Sequence, residues 1–279
     1  MEYLYKNGVI EFCPNDDFDP VKIFECGQCF RWNAEPDGSY TGVAMGRAAN
    51  VKMRGDTVLI SGEKEDFTEI WHDYFDLGTN YGDVRRSLCI DDYMREASDY
   101  GAGIRILNQD RWEALCSFII SQCNNIPRIK KIVEALCALF GDRTELYGRE
   151  YFTFPTAERL AALTADDLAP IRSGYRAPYI VEAAKAVASG EIDLDRLSET
   201  TPEEARRVLK SINGIGDKVA NCAILFSLRM TEAFPIDVWM KKAIAEHYGS
   251  GFDPKIFGKY AGLAQQYMFY FQREEKNRE

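Results

Sequence analysis

Residues 211–222 read SINGIGDKVANC and place a primary amine, Lys218, directly after a bend made by Gly214 and Gly216. The run that follows has the pattern of a buried helix, which Lys218 opens. A helix N-terminus already carries partial positive charge and burial penalises a full one, so both favour the neutral form of an amine there. A neutral amine is a nucleophile. Further on, FPIDVWMKKAI sets Asp237 at the expected N-cap of another helix. A carboxylate beside such an amine can take up its proton, or stabilise positive charge developing on a sugar. Capping alone also accounts for Asp237, and chain spacing does not say whether the two side chains meet.

The glycine bend has to be told apart from two other motifs. A P-loop needs a four-residue spacer between its glycines and a hydroxyl after the lysine, and GIGDKV has neither. A dinucleotide fingerprint needs a third glycine and a preceding strand, whereas ARRVLKSI before the bend reads as helix. What remains is helix, hairpin, helix. In such a hairpin, Asn213, Gly214, Ile215 and Gly216 can turn successive N–H groups outward beside the next helix start and hold a phosphate without side-chain charge. A plain helical hairpin stopped by glycine has the same pattern.

The elements that must carry these residues change character along the chain. FRWN, SYTGVAM, NVKMRG and DTVLIS in the first 95 residues are β-prone runs separated by turn signals such as PDGS and RGD. From about residue 98 the period becomes helical, in NQDRWEALCSFIISQCN, in PRIKKIVEALCALFG with Pro127 in its first turn and Gly141 as its stop, and in several later runs. Thr201 before Pro202 reads as another N-cap. The reading is a β-containing front third and a helical remainder, with no repeat.

The 279 residues carry a formal net charge of −10, with 46% hydrophobic and 28% charged residues. This is an ordinary globular composition, and it argues against bulk polyelectrolyte attraction to nucleic acid while leaving room for a local basic face. No apolar run approaches a membrane span, and the N-terminus lacks a secretory pattern, so no membrane contact and an intracellular location (cytoplasm or nucleoid in a bacterium) are expected. The eight cysteines sit mostly in apolar runs and read as buried reduced thiols. Cys26 and Cys29 form a C-x-x-C without a second pair, so no zinc site is expected.

INGIGDKVANCAILFSL followed by FPIDVW resembles the helix-hairpin-helix DNA glycosylases, and a lysine at 218 resembles their bifunctional glycosylase/lyase members. No cysteine follows Cys222, which disfavours the iron–sulfur branch that shares the lysine. CGQCFRW, SGYRAPYIVEAAKAV and YAGLAQQYMF resemble the 8-oxoguanine DNA glycosylase/lyases specifically, so that the resemblance runs from about Cys26 to Phe269. It implies an α+β fold: an N-terminal antiparallel β-sheet domain over 1–97, then a region over 98–279 of two mostly α-helical subdomains, with the helix-hairpin-helix at about 203–229. The active site is expected in the cleft between the domains.

The resemblance also assigns roles. Lys218 would attack the sugar of an extruded 8-oxoguanine nucleotide and form a Schiff base that leads to β-elimination, with Asp237 assisting. The Gly27 carbonyl would accept the N7 hydrogen that distinguishes 8-oxoguanine from guanine. Phe269 and Cys222 would sandwich the base and Gln265 would contact its Watson–Crick edge; Gln265 and Phe269 share a helix face at i, i+4. Core packing accounts equally for Phe269 and Cys222 as residue types. Tyr175 matches a wedge beside the lesion, Arg128 and Arg176 match readers of the orphaned cytosine, and residues 213–216 match the phosphate hairpin. Two positions depart from the pattern. Cys123 stands where the family has asparagine, with Asn124 or Asn125 as the available substitutes and a looser choice of opposite base as the alternative. Trp239 stands where histidine is frequent, which bears on a phosphate or pocket contact. The expected partner is 8-oxoguanine-containing duplex DNA, bound by a monomer. No cofactor is expected, with room for a structural ion at the hairpin. A related glycosylase for another oxidised or mismatched base, and a non-catalytic DNA-binding hairpin protein, are the alternatives.

Overall fold

The computed structural model describes residues 1–14 and 16–278. Strands β1 (Tyr3–Lys6), β2 (Val9–Phe12), β3 (Trp32–Ala34), β4 (Tyr40–Ala44), β5 (Arg47–Arg54) and β6 (Thr57–Ser61) form a six-stranded sheet in the order β1-β2-β6-β5-β4-β3. Every neighbouring pair is antiparallel. Alternation sets its buried face: Ile60 pairs with Ile10 on one side and Val51 on the other, and all three are buried. That face closes on Phe24 of helix α1 (Pro20–Glu25) and on Phe67, Trp71 and Phe75.

The β1–β2 hairpin lies outside the runs read as β-prone. Its two-residue turn, Asn7-Gly8, has φ of 53° and 75°, the left-handed pair that matches strand twist and that Asn-Gly favours.

A second, larger core follows. Helix α2 (Arg111–Ile120) is buried at every position from Ala114 onward, is capped by Asp110, and runs along the centre of this core. Helix α3 (Ile126–Phe140) has Asn125 as N-cap, Pro127 in its first turn and Gly141 at its end. The remainder is not wholly helical: β7 (Arg143–Leu146) and β8 (Arg149–Phe152) form a two-stranded hairpin. Its RTEL and REYF arms flank Tyr147-Gly148, again a turn with positive φ at both residues. Helices α4 (Pro202–Leu209) and α5 (Asp217–Ser227) bracket the hairpin, α5 packing on α2. Helix α6 (Val238–His247) and the terminal helix α7 (Ala261–Arg278) follow, and α7 packs on the earlier helix Asp92–Tyr100.

That last contact shifts the division of the chain. Tyr81, Val84, Leu88, Met94 and Ala97, on the front side of residue 97, belong to the helical core, whereas the sheet core takes residues through Leu77 and then Leu107. The Cys26–Phe30 loop straddles the boundary, with Cys26 and Phe30 in the helical core and Cys29 in the sheet core.

Candidate active site

Gly216 is the N-cap of α5 and offers its first turn no side-chain acceptor, so the N–H groups there are left for an external partner. Gly214 is the residue that needs to be glycine. Its φ is 83°, and a Cβ would lie 2.4 Å from Cγ of Tyr179. Gly216 faces open space. Asn213 and Gly216 are exposed, and Ile215 is buried and anchors the bend in the helical core.

Lys218, half-buried, leaves the first turn of α5 and donates from Nζ to Oγ of Ser121 at 2.8 Å. The amine also stands 5.3 Å from the ring centroid of Phe118. Ser121 at the end of α2 in turn donates to the Phe118 carbonyl at 2.8 Å. Asp237 caps α6, its Oδ1 accepting from the N–H groups of Trp239 at 3.0 Å and Met240 at 2.9 Å. Lys218 and Asp237 line one recess together with Gly27, Cys222, Gln265 and Phe269. Burial pushes the Cys222 thiol up to about 11, with Lys218 pulling against the shift and Asp237 adding to it. That thiol is therefore a packing surface rather than a thiolate nucleophile.

The recess measures about 50 Å³. It opens beside a cleft of about 790 Å³ bordered by Gly27, Lys218, Asp237 and Phe269 and also by the 121–127 turn, Trp239 and Lys241. Gly27 follows the end of α1, with φ of 82°, and a Cβ on it would come within 3.2 Å of the Phe269 ring. It therefore ends a helix and brings bare backbone to the recess wall. Gln28 holds it there. Buried, it donates to the carbonyls of Ile23 at 2.9 Å and Arg105 at 2.8 Å, and accepts from Leu107 N–H at 2.9 Å.

Of the residues expected at the DNA face, Asn124, Asn125 and Gly216 border the cleft, and Tyr175 and Arg176 bond to Gln122 of its 121–127 turn, whereas Arg128, Asn213, Gly214 and Ile215 do not line it. Tyr175 is 53% exposed and donates to the Gln122 carbonyl at 3.3 Å. Arg176 is not a solvated surface arginine: it is buried, stacks 4.4 Å from the Tyr175 ring centroid, and donates to the carbonyls of Gln122, Cys123 and Ser173. It braces the turn that presents Cys123, whose thiol side is exposed and whose φ is 47°. Asn124 bonds back to the Ile120 carbonyl at 3.1 Å and Asn125 caps α3, so both asparagines have local work in shaping this turn. Arg128 is exposed one turn into α3. Ser121, Gln28 and Arg176's clasp escape sequence reasoning because their partners lie far along the chain; Ser121 and Lys218 are 97 positions apart. Among the described residues no group of three or more His, Cys, Asp or Glu could hold a metal ion, and no helix is long and apolar enough to cross a membrane.

A hairpin that delivers a lysine to a recess met by the Gly27 backbone and faced by a helix-capping aspartate is the arrangement of a base-excision DNA repair enzyme. The chain belongs to the HhH-GPD superfamily of base excision DNA repair proteins, whose family model matches residues 116–256, and the 8-oxoguanine DNA glycosylase N-terminal domain matches residues 11–115. The structure of MBOgg1 in complex with a low-affinity DNA ligand is 46% identical, with a TM-score of 0.94 over 99% of this chain and 100% of that one. The Clostridium acetobutylicum 8-oxoguanine glycosylase/lyase, in complex with duplex DNA containing cytosine opposite 8-oxoguanine, is 35% identical with a TM-score of 0.94 over 99% of both chains. The N-glycosylase/DNA lyase of Saccharomyces cerevisiae is 39% identical over 158 residues, 52% of this chain and 42% of the yeast protein. The chain thus spans less than half the length of that relative.

Proposed function

We propose that this protein excises 8-oxoguanine from duplex DNA, with cytosine as the preferred opposite base, and then cleaves the strand at the abasic site. The observation that carries this reading is the sharing of one recess by Lys218, Asp237 and the backbone of Gly27. Phosphate binding by a hairpin requires none of the three, which weighs against a non-catalytic DNA-binding module.

In this reading the Lys218 amine leaves Ser121 and attacks C1′ of the extruded nucleotide. The C1′–N9 bond breaks and the base departs with the bonding pair and a proton. The sugar opens to an imine, and loss of a C2′ proton breaks the C3′–O bond, releasing the 3′ strand as its phosphate. The Asp237 carboxylate stabilises positive charge on the sugar. Gly27 offers its carbonyl to N7–H, a donor that guanine lacks, so one buried hydrogen bond separates lesion from normal base. The hairpin and the open first turn of α5 hold a backbone phosphate without adding positive side chains to an acidic protein.

A water molecule occupies ~30 Å³ of liquid, so the recess of about 50 Å³ is too small for a purine. Phe269 borders both recess and cleft and is the side chain placed to move when a base enters. Extrusion itself costs a few kcal/mol of stacking, which Tyr175 and the Cys123 turn offset by filling the vacated space. The exposed thiol at 123 supports a looser demand for cytosine than an asparagine would impose. Eight unpaired cysteines support a reducing, intracellular setting, and completion of the site within one chain supports action as a monomer. The chemistry draws on the lysine amine and a carboxylate and calls for no cofactor.

Borohydride trapping on 8-oxoguanine duplexes with each of the four opposing bases, and on duplexes with other oxidised or mismatched bases opposite cytosine, tests the reading. A covalent adduct is expected with wild type, most strongly opposite cytosine, and none with Lys218→Gln. An adduct undiminished in Lys218→Gln would refute the assignment, and a flat response across lesions would favour the related glycosylase for another base.

A further inference from the structure

The inner wall of the recess carries a second carboxamide. Gln266, only 3% exposed, lines it beside Gln265 and donates from Nε2 to Oε1 of Gln265 at 2.9 Å. Its own Oε1 is buried and has no hydrogen-bond partner among the described residues. Buried acceptors are rarely left unpaired, because each forfeits its bond to water. Packing gives no reason for one here: Ala264, Tyr267 and Met268, its neighbours along α7, are core residues, and an apolar side chain would suit a core position as well. An oxygen kept unpaired at the wall of a ligand recess is explained by a donor that arrives with the ligand.

We propose that Gln266 determines specificity by accepting a hydrogen bond from the exocyclic 2-amino group of the extruded purine; this rests on the 8-oxoguanine reading above. The Watson–Crick edge of 8-oxoguanine presents N1–H and the 2-amino group side by side. The paired carboxamides present two neighbouring acceptors, because Gln265 Oε1 keeps a second lone pair beyond the one directed at Gln266. Gln266 thereby also fixes the orientation of the Gln265 amide. Gly27 reads the oxidised face of the base and Gln266 its guanine character, so an oxidised purine without the 2-amino group satisfies the first test and fails the second.

Single-turnover excision by the full chain from two duplexes decides the matter, one with 8-oxoguanine and one with 8-oxohypoxanthine, each opposite cytosine. The second base lacks only the 2-amino group. It pairs more weakly with cytosine, so slower excision of it cannot come from harder flipping. Wild type is expected to prefer 8-oxoguanine by about ten- to a hundredfold, the worth of one buried hydrogen bond. Gln266→Met and Gln266→Leu are expected to shrink that preference to about threefold or less by slowing 8-oxoguanine far more than 8-oxohypoxanthine, with rates normalised to active enzyme counted by trapping on an abasic duplex. A preference that survives in both variants, equal slowing of both bases, or no preference in wild type would overturn the proposal. Failure of wild type to excise either base while it still traps on abasic DNA would instead remove the 8-oxoguanine reading.

Discussion

Asp237 is both a helix cap and a wall of the recess, and substitution can separate the two. Its Oδ1 accepts two backbone N–H groups at the start of α6, while the side chain borders the recess that holds Lys218. Asparagine caps a helix as well as aspartate within a few tenths of a kcal/mol, whereas alanine loses about 1 kcal/mol. Asp237→Asn is therefore expected to melt like wild type and bind lesion DNA nearly as well, yet to excise the base about a hundredfold more slowly or worse. Asp237→Ala should lose a similar amount of activity and also show the capping loss in its melting curve. If binding and turnover fell together in Asp237→Asn, the residue would be a cap alone. At this scale the sequence was informative wherever a role is written locally. The bend before Lys218 and the cap at Asp237 are read within a few residues. Ser121 and Arg176 are not, since what each does depends on a partner 97 or 54 positions away that only folding supplies.

The helix-hairpin-helix shows that two glycines of one motif have different reasons to be there. Gly214 needs its left-handed φ of 83° and has the Tyr179 ring where a Cβ would go, whereas Gly216 has ordinary φ and open space. Gly214→Ala is expected to push the bend off Tyr179 and weaken binding of undamaged duplex by roughly tenfold, the worth of one charge-assisted hydrogen bond to phosphate. Gly216→Ala should lose only the modest advantage glycine has at an N-cap. Fluorescence anisotropy at fixed salt measures both, and equal affinities for the two variants would contradict the packing argument. The elements missed in the sequence were hairpins. Asn7-Gly8 and Tyr147-Gly148 are both two-residue turns with positive φ. The first is the strongest short hairpin signal a sequence can carry. The second was hidden because RTEL and REYF are charged edge strands with little apolar alternation.

Across the whole molecule, the two cores are tied by a few fully satisfied polar residues. Arg105 is 1% exposed and uses its guanidinium on Asp16 and on the carbonyls of Asp17, Phe75, Asp76 and Thr79, with the Tyr81 ring stacked beneath it. Replacing one partner of a buried ion pair leaves the others unsatisfied and costs about 3–5 kcal/mol. Arg105→Met is therefore expected to lower the denaturation midpoint by that equivalent at an unchanged slope. A loss below about 1 kcal/mol would mean that water takes over these bonds. The broad architecture could be read from the change of hydrophobic period. The placing of helices Tyr81–Leu88 and Asp92–Tyr100 could not, because neither carries a local mark saying that it joins the helical core rather than the sheet ahead of it.

The Cys26–Phe30 loop lies on the seam between the cores, with Gly27 at its apex and Gln28 pinning it to residues 105–107. The backbone that Gly27 brings to the recess thus hangs on a polar clasp to residues 105–107, apart from the helix that carries Lys218. In the 8-oxoguanine reading, a substitution in this segment is expected to alter which damaged bases are accepted while Lys218 and Asp237 keep their places. By the same token, loosening of the seam is expected to blunt the choice of base before it touches the severing of abasic strands.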